Sequence, residues 1–258
     1  MDFAASAWYN AHMKTVSVIT ICFNSEAVIE KTIQSVLNQT YSQIEYVIID
    51  GASKDGTVAL AKSYETAFAE KGYSFRVISE PDKGIYDAMN KGIRNTGGEI
   101  VGIINSGDWY EPEAVETAAE AFEKEGCTLF FADINLVKEN GSVIVKHSKY
   151  DSFPTSRHWN HPTMFTARSL YDRLGLYSCE GIHDDFEFYL RVRRAGEKIY
   201  ISDKILANFA TGGASNAKSF KKCYRRCMDR YKAYRKNGYP PLSMLECVGI
   251  EAAKFILS

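Results

Sequence analysis

The chain has 258 residues, 45% hydrophobic and 24% charged, and its 31 Lys and Arg nearly balance 32 Asp and Glu for a formal net charge of −1. That length suits one large core, and the composition excludes a disordered chain. The balanced charge removes the overall basic field that would suggest a nucleic-acid partner.

The first half alternates strand and helix. VSVITICF (16–23) is a β-branched run suited to a buried parallel strand. In NSEAVIEKTIQSVLNQ, Asn24 or Ser25 is a candidate cap, and Ile29, Ile33, Val36 and Leu37 share one helical face. IEYVIID (44–50) is a second strand, and SKDGTVALAKSYETAFAE reads as one helix with Leu60, Ala61, Tyr64, Ala67 and Phe68 on its apolar side. SFRVIS (74–79), GIYDAMNKGIRN and EIVGIIN supply a third strand, a third helix and a fourth strand. This order predicts an α/β fold with a mostly parallel sheet flanked by helices. Ligands of such sheets bind outside the carboxyl ends of the strands. The polar tips there are Asn24, Asp50, the EPDKG turn and Asp108.

The second half changes character. CTLFFADINLVKENGSVIVKH has two strand-like runs joined by Asn140-Gly141, a hairpin signal. HPTMFTARSLYDRLG reads as strand then helix, HDDFEFYLRVRRAG as a helix stopped at Gly196, and KIYISDKILANFATGG as a pair of strands. AKSFKKCYRRCMDRYKAYRKNG is a basic helix broken by Pro240-Pro241, and LSMLECVGIEAAKFILS is a final amphipathic helix with Leu242, Leu245, Ala252 and Ile256 as its apolar face. One domain is expected over 1–216, with 217–258 as its helical appendage.

The six cysteines are spread out with no C-x-x-C pair, which points to a reducing compartment rather than a disulfide framework. The start lacks a basic stretch followed by an apolar run, and no apolar run approaches the ~18 residues of a spanning helix. A cytoplasmic, at most peripheral, protein is expected. The first strand ends in CFNSEA, without the glycines of a dinucleotide fold, and no Gly-Lys of a P-loop occurs anywhere. Hydride transfer and P-loop hydrolysis are thereby disfavoured.

VSVITICFNSEAVIEKTIQSVLNQTYSQIEYVIIDGASKDGT, followed by SEPDKGIYDAMNKGIRNTGGEIVGIINSGDW, resembles the family 2 glycosyltransferases of the GT-A fold. The likeness continues through HPTMFTARSLYDRLG, HDDFEFYLR and LANFATGGAS, over roughly residues 15 to 216, and is nearest to bacterial transferases of surface-polysaccharide assembly. It implies a GT-A, Rossmann-like mixed sheet. It also implies inverting transfer of a sugar from a UDP-sugar to a hydroxyl of a saccharide acceptor, with Mn²⁺ or Mg²⁺. The competing hypothesis is a non-catalytic nucleotide-binding partner of an assembly complex; a nucleotidyltransferase is a lesser option.

Roles follow from the resemblance. Thr20, Phe23 and Asn24 match its nucleotide-contacting strand tip, with core packing the alternative for Thr20 and Phe23. Asp50 matches a uracil- or ribose-binding aspartate, or serves its turn. Asp55 is the better candidate for a helix cap. Asp82 would hold a ribose or sugar hydroxyl, and Lys83 would neutralise diphosphate; a capped, solvated helix start is the bland alternative. Asp108 matches the last acidic residue of a metal-binding DxD motif, although Asn105 and Gly107 stand where many members carry Asp. Asp185 matches the catalytic base, with Asp184 as runner-up or plain cap. His161 matches an acceptor-side segment, and zinc at His158, His161 and His183 is disfavoured. Thr211–Ser215, TGGAS, reads as a loop over the diphosphate.

From Lys218 to Lys236 there are nine Lys or Arg and one acidic residue, Asp229, interleaved with Tyr224, Tyr231 and Tyr234. Such a basic element can lie on an anionic membrane, which would suit an acceptor on a polyprenyl-diphosphate lipid. A solvated helix packed on the domain explains the charges equally well. Nucleic acid is not expected, since no recognition motif accompanies them.

Overall fold

The computed structural model describes residues 13–211 and 220–257. In chain order the elements are β1 (Val16–Cys22), α1 (Ile29–Leu37), β2 (Ile44–Asp50), α2 (Thr57–Lys62), α3 (Glu65–Glu70), β3 (Ser74–Ser79), α4 (Ile85–Arg94), β4 (Ile100–Asn105) and β5 (Trp109–Tyr110). There follow α5 (Ala114–Lys124), β6 (Leu129–Val137), β7 (Val143–Lys146), a 3₁₀ turn (His161–Thr163), β8 (Phe165–Ala167), α6 (Arg168–Leu174), α7 (Asp184–Arg194), β9 (Ile199–Ala210), α8 (Phe220–Lys236) and α9 (Ser243–Leu257).

The sheet runs β3-β2-β1-β4-β8-β6-β9-β5, with β7 hanging on β6. Its first four strands are parallel, β8 runs against β4, and β6 and β9 are again parallel to each other. Every residue of β1 is buried, because helices cover both faces. Val18, Ile44, Tyr46 and Ile48 pack on one side with α1. Ile19, Ile21, Val47 and Ile49 pack on the other with α4 and α7. The strand period of two divides the sequence between these layers.

Gly92 sets how closely α4 approaches the sheet: a Cβ there would lie 2.4 Å from Cγ2 of Ile19. Overpacking of this kind costs ~1–3 kcal/mol. Gly92→Ala is therefore expected to lower the unfolding free energy from urea melts by that amount, and an unchanged value would show that α4 can back away freely.

Three local expectations need correction, and a fourth lies mostly outside the described residues. The first helix starts at Ile29, not after Asn24 or Ser25, and its N-cap position is Val28, without a side-chain cap. Ser25 is otherwise engaged: its N–H donates to Thr57 Oγ1 at 2.7 Å and its hydroxyl meets Ser106 Oγ at 2.9 Å. The second helix is two short ones, α2 and α3. Ser63 turns its hydroxyl back to the Leu60 carbonyl at 2.7 Å, a bond that competes with helix continuation, and the Tyr64 hydroxyl reaches Glu30 on α1. The expected pair at 199–210 is one strand: Ser202-Asp203-Lys204, which reads as a turn, is absorbed where the register against β6 shifts between Ala132 and Ile134. In the TGGAS loop only Thr211 lies within the described residues; 212–215 lie outside them.

The Asn140-Gly141 hairpin forms as read, with Gly141 at φ +79°. The C-terminal helices pack on the main body. Cys227, Ala233, Tyr234 and Cys247 join the core layer that holds Phe186 and Phe188. Arg230, 1% exposed, lies between Glu251 at 3.1 Å and His183 Nε2 at 3.4 Å. Leu242, Leu245 and Ala252 of the expected apolar face point outward, while Cys247, Ile250 and Glu251 pack inward. Among the described residues no helix is long and apolar enough to cross a membrane.

Candidate active site

The carboxyl ends of β1, β2 and β4 form one polar rim. At the β1 tip, Phe23 is 60% exposed, the condition for a flat apolar platform. Asn24 adopts φ +48°, a left-handed conformation that asparagine tolerates. Its N–H donates to Ser53 Oγ at 2.7 Å and its Oδ1 accepts from the Lys54 N–H at 2.9 Å. Asn24 thus ties the β1 tip to the loop after β2.

Gly51 opens that loop and has no room for a side chain: a Cβ would stand 2.6 Å from Asp82 Oδ2 and 3.3 Å from the Phe23 ring. Phe23, Gly51 and Asp82 therefore meet at one point. Asp82 Oδ1 accepts from the Gly84 N–H at 2.8 Å, which fixes the carboxylate and turns Oδ2 toward Gly51. Lys83 is exposed beside it, its backbone N–H bonded to Asp87.

Two predicted contacts move elsewhere. Thr20 is fully buried and accepts the Tyr46 hydroxyl at 3.0 Å, so its side chain belongs to the core. Asp50 is also fully buried. It accepts from the Ser53 N–H at 2.9 Å, the Ser53 hydroxyl, the Ser79 hydroxyl at 2.6 Å and the Cys22 thiol at 3.6 Å. Burial pushes its pKa up, but these donors outweigh burial and hold the pKa below the ordinary carboxylate value. Four donors use the acceptor capacity of a carboxylate, so the turn-building reading is the one this geometry supports. Asp55 accepts from both N–H and hydroxyl of Thr57, but the N-cap position of α2 is Gly56, without a side-chain cap, so the expected cap is not formed.

β4 ends at Asn105, and Gly107 at φ +95° makes the turn that delivers Asp108. The turn is pinned on several sides. Ser106 N–H donates to the Ile21 carbonyl at 3.1 Å, Gly107 N–H to Thr32 Oγ1 at 3.0 Å, and the Thr32 hydroxyl to the Asp108 carbonyl at 2.6 Å. The Asp108 carboxylate is buried and accepts from the Ala210 N–H at 3.0 Å, at the end of β9. Burial raises its pKa to about 7, against the opposing pull of that N–H. Among the described residues the buried Asn105 Oδ1 has no donor.

A buried carboxylate that resists ionisation, near an orphan amide oxygen, is a hard-oxygen environment lacking positive charge. It suits a divalent ion such as Mn²⁺ or Mg²⁺ if phosphate oxygens and water complete the shell. The protein alone would not suffice: no group of three His, Cys, Asp or Glu able to hold a metal occurs among the described residues.

Two aspartates open α7, and their surroundings separate them. Asp184 is buried and its Oδ2 accepts from the N–H groups of Glu180 and Gly181 at 2.7 and 3.1 Å; it closes the loop before the helix. Asp185 is half-buried, and its Oδ1 accepts from the Tyr86 hydroxyl at 2.9 Å and the Phe186 N–H at 2.7 Å. No donor among the described residues reaches its Oδ2. His161 is buried against Trp159, and burial keeps its ring below the ordinary pKa while Asp185 opposes that shift. His158 pairs with Asp151 at 2.6 Å. Glu187 pairs with Arg191 at 3.0 Å and with Asn237, just past the end of α8, a structural role.

Residues 17–186 match the profile of Glycosyl transferase family 2. The chain belongs to glycosyltransferase family 2. It is similar to an uncharacterized glycosyltransferase, Rv1514c, of Mycobacterium tuberculosis, 32% identical over 236 residues that make up 87% of each chain. It is 27% identical to the chondroitin synthase of Escherichia coli over 81% of this chain and 31% of that one. S. aureus TarS 1–349, solved in complex with UDP-GlcNAc, superposes with a TM-score of 0.65 at 17% identity, covering 94% of this chain and 73% of that one. The mannosyltransferase PcManGT of Pyrobaculum calidifontis, solved with GDP-Man and Mn²⁺, gives 0.66 at 15% identity over 99% and 80%. At those identities the likeness carries the fold, and this glycosyltransferase has the GT-A architecture read from its sequence.

Sequence reasoning missed Gly51 and Tyr86. Gly51 carried a signal, a glycine directly after a strand-ending aspartate. Tyr86 carried none, since its partner is 99 residues away.

Proposed function

We propose that this glycosyltransferase moves a hexosyl or N-acetylhexosaminyl group from a UDP-sugar to a hydroxyl of a saccharide acceptor, with inversion, in assembly of a bacterial polysaccharide of O-antigen or capsule type. The observation that carries the reading is Asp185: one oxygen is held by two donors and no donor among the described residues reaches the other, and the holding Tyr86 belongs to α4, the helix that begins after the Asp82–Gly84 turn. A carboxylate arranged this way can take the acceptor proton as the new bond forms.

In this reading Phe23 stacks on the base and Asp82 Oδ2 accepts a ribose or sugar hydroxyl. Lys83 neutralises diphosphate charge. The acceptor hydroxyl attacks the anomeric carbon opposite the departing UDP, through an oxocarbenium-like state, and Asp185 Oδ2 receives its proton. Asp108, with Asn105 beside it, would hold Mn²⁺ or Mg²⁺, which when bound stabilises charge on the diphosphate. His161, buried behind Asp185, contributes to the acceptor side by packing. The appendage 217–258 adds a peripheral contact with the inner face of the cytoplasmic membrane, where a polyprenyl-diphosphate-linked acceptor would be presented. Exposed Phe220 and Tyr224, next to Lys221 and Lys222 along α8, and exposed Leu242, Leu245 and Val248 support that contact.

Thermal-shift titration with UDP, UDP-GlcNAc and GDP-mannose, each with and without Mn²⁺, tests the donor side. Ligand at 100 times Kd raises stability by ~2.7 kcal/mol, so the uridine nucleotides with Mn²⁺ are expected to raise Tm clearly and more than without it. A shift by GDP-mannose alone, or shifts indifferent to Mn²⁺, would contradict the assignment.

A further inference from the structure

Helix α4 touches both halves of the site. The turn that leads into it carries Asp82, and two of its buried residues grip the segment that leads to α7. The Asn90 side chain pairs with the Tyr177 backbone in both directions, donating to the carbonyl at 2.8 Å and accepting from the N–H at 3.0 Å. The Tyr86 ring, 6% exposed, packs on Tyr177 with centroids 5.7 Å apart. Its hydroxyl ends 2.9 Å from Asp185 Oδ1. Burial and the neighbouring Asp185 push the Tyr86 hydroxyl well above its ordinary pKa, so it stays a proton donor.

We infer that Tyr86 is a positioning residue: it fixes Asp185 Oδ1 so that Oδ2 alone faces the acceptor hydroxyl, and it ties the placement of the base to the donor-binding end of α4. This rests on Asp185 being the base. Two effects of losing the hydroxyl oppose each other. A carboxylate relieved of a donor is a slightly stronger base, which favours proton uptake. It is also free to rotate, and misplacement by about 1 Å can cost ~10²-fold. Orientation wins, because a carboxylate that takes the proton late gains little from added basicity.

The test is release of UDP from UDP-GlcNAc with Mn²⁺, comparing wild type, Tyr86→Phe, Asp185→Asn and the double variant. Phe keeps the ring on Tyr177, so Tm and the KM for UDP-GlcNAc stay near wild type, while kcat falls about 10- to 100-fold. Added to Asp185→Asn, the second substitution has no further effect, as required of a residue that acts through Asp185. A wild-type kcat in Tyr86→Phe with Asp185→Asn inactive would overturn the inference and leave the base standing. A raised KM at unchanged kcat would overturn it in favour of a donor-binding role. Full activity in Asp185→Asn would remove the base assignment and the inference with it.

Discussion

Asp185→Asn is expected to lower sugar transfer by about 10²- to 10⁴-fold, the range a general base contributes, while UDP binding and Tm stay near wild type. The amide keeps the size of the carboxylate, and its oxygen can still accept from Tyr86 and the Phe186 N–H, the two bonds that orient Oδ1. What is lost is the capacity to take a proton. Asp184→Asn has a different signature. Its carboxylate accepts two backbone N–H groups of the loop before α7, so its replacement is read first as lost stability. Initial rates, nucleotide titration and thermal melts on both variants separate the roles; a larger rate loss for Asp184→Asn than for Asp185→Asn would reverse them.

Asp108→Asn is expected to stabilise the metal-free protein at pH 8 and to abolish the Mn²⁺ dependence of UDP binding. Burial raises the folded-state pKa of Asp108 from 3.8 to about 7. Between those values the folded protein retains a proton that the unfolded chain has released, so stability falls as pH rises from about 4 to about 7, and the deficit persists above 7. At ~1.4 kcal/mol per pH unit the ceiling is ~4 kcal/mol. Local relaxation around the charged form reduces it, and a gain of ~1–3 kcal/mol is expected. The amide carries no ionisation penalty and still accepts from the Ala210 N–H. Urea melts at pH 8 and pH 4 check the sign: the gain is present at the first and absent at the second. With Mn²⁺ and UDP the order reverses, because only the wild type offers a carboxylate to the cation. An Asn variant less stable than wild type at pH 8 without metal would show that Asp108 is not strained by burial.

The sheet was legible where the signal is local. β-branched runs marked β1, β2 and β4, alternation divided their side chains between two layers, and Asn140-Gly141 specified a hairpin through the left-handed conformation that Gly141 adopts. Asp108 stood out as a lone carboxylate at a strand end, and its role and that of Asp185 came from the family resemblance. What was not legible depends on distant partners. Ser25 and Asn24 looked like caps, yet they are drawn to Thr57 and the 53–54 loop. Asp50 looked like a ligand because its four donors come from three separate segments. The 199–210 segment looked like a pair of strands because polar Ser202–Lys204 interrupts it, and polarity does not distinguish a bulge from a loop. Adjacent, identical residues carry no local distinction between Asp184 and Asp185, and only the family resemblance favoured Asp185; in the structure Asp184 meets the Glu180 and Gly181 N–H groups while Asp185 meets the Tyr86 hydroxyl.

The central claim is single-displacement transfer with Asp185 as base, and the configuration of the product reports on it most directly. UDP-α-GlcNAc incubated with the protein and Mn²⁺, with water as acceptor, can be followed by proton NMR before mutarotation scrambles the anomers. The account predicts that β-GlcNAc appears first in the wild type and that Asp185→Asn releases it at least about 100-fold more slowly. Release of the α-anomer first, or an unchanged rate in the variant, would contradict it.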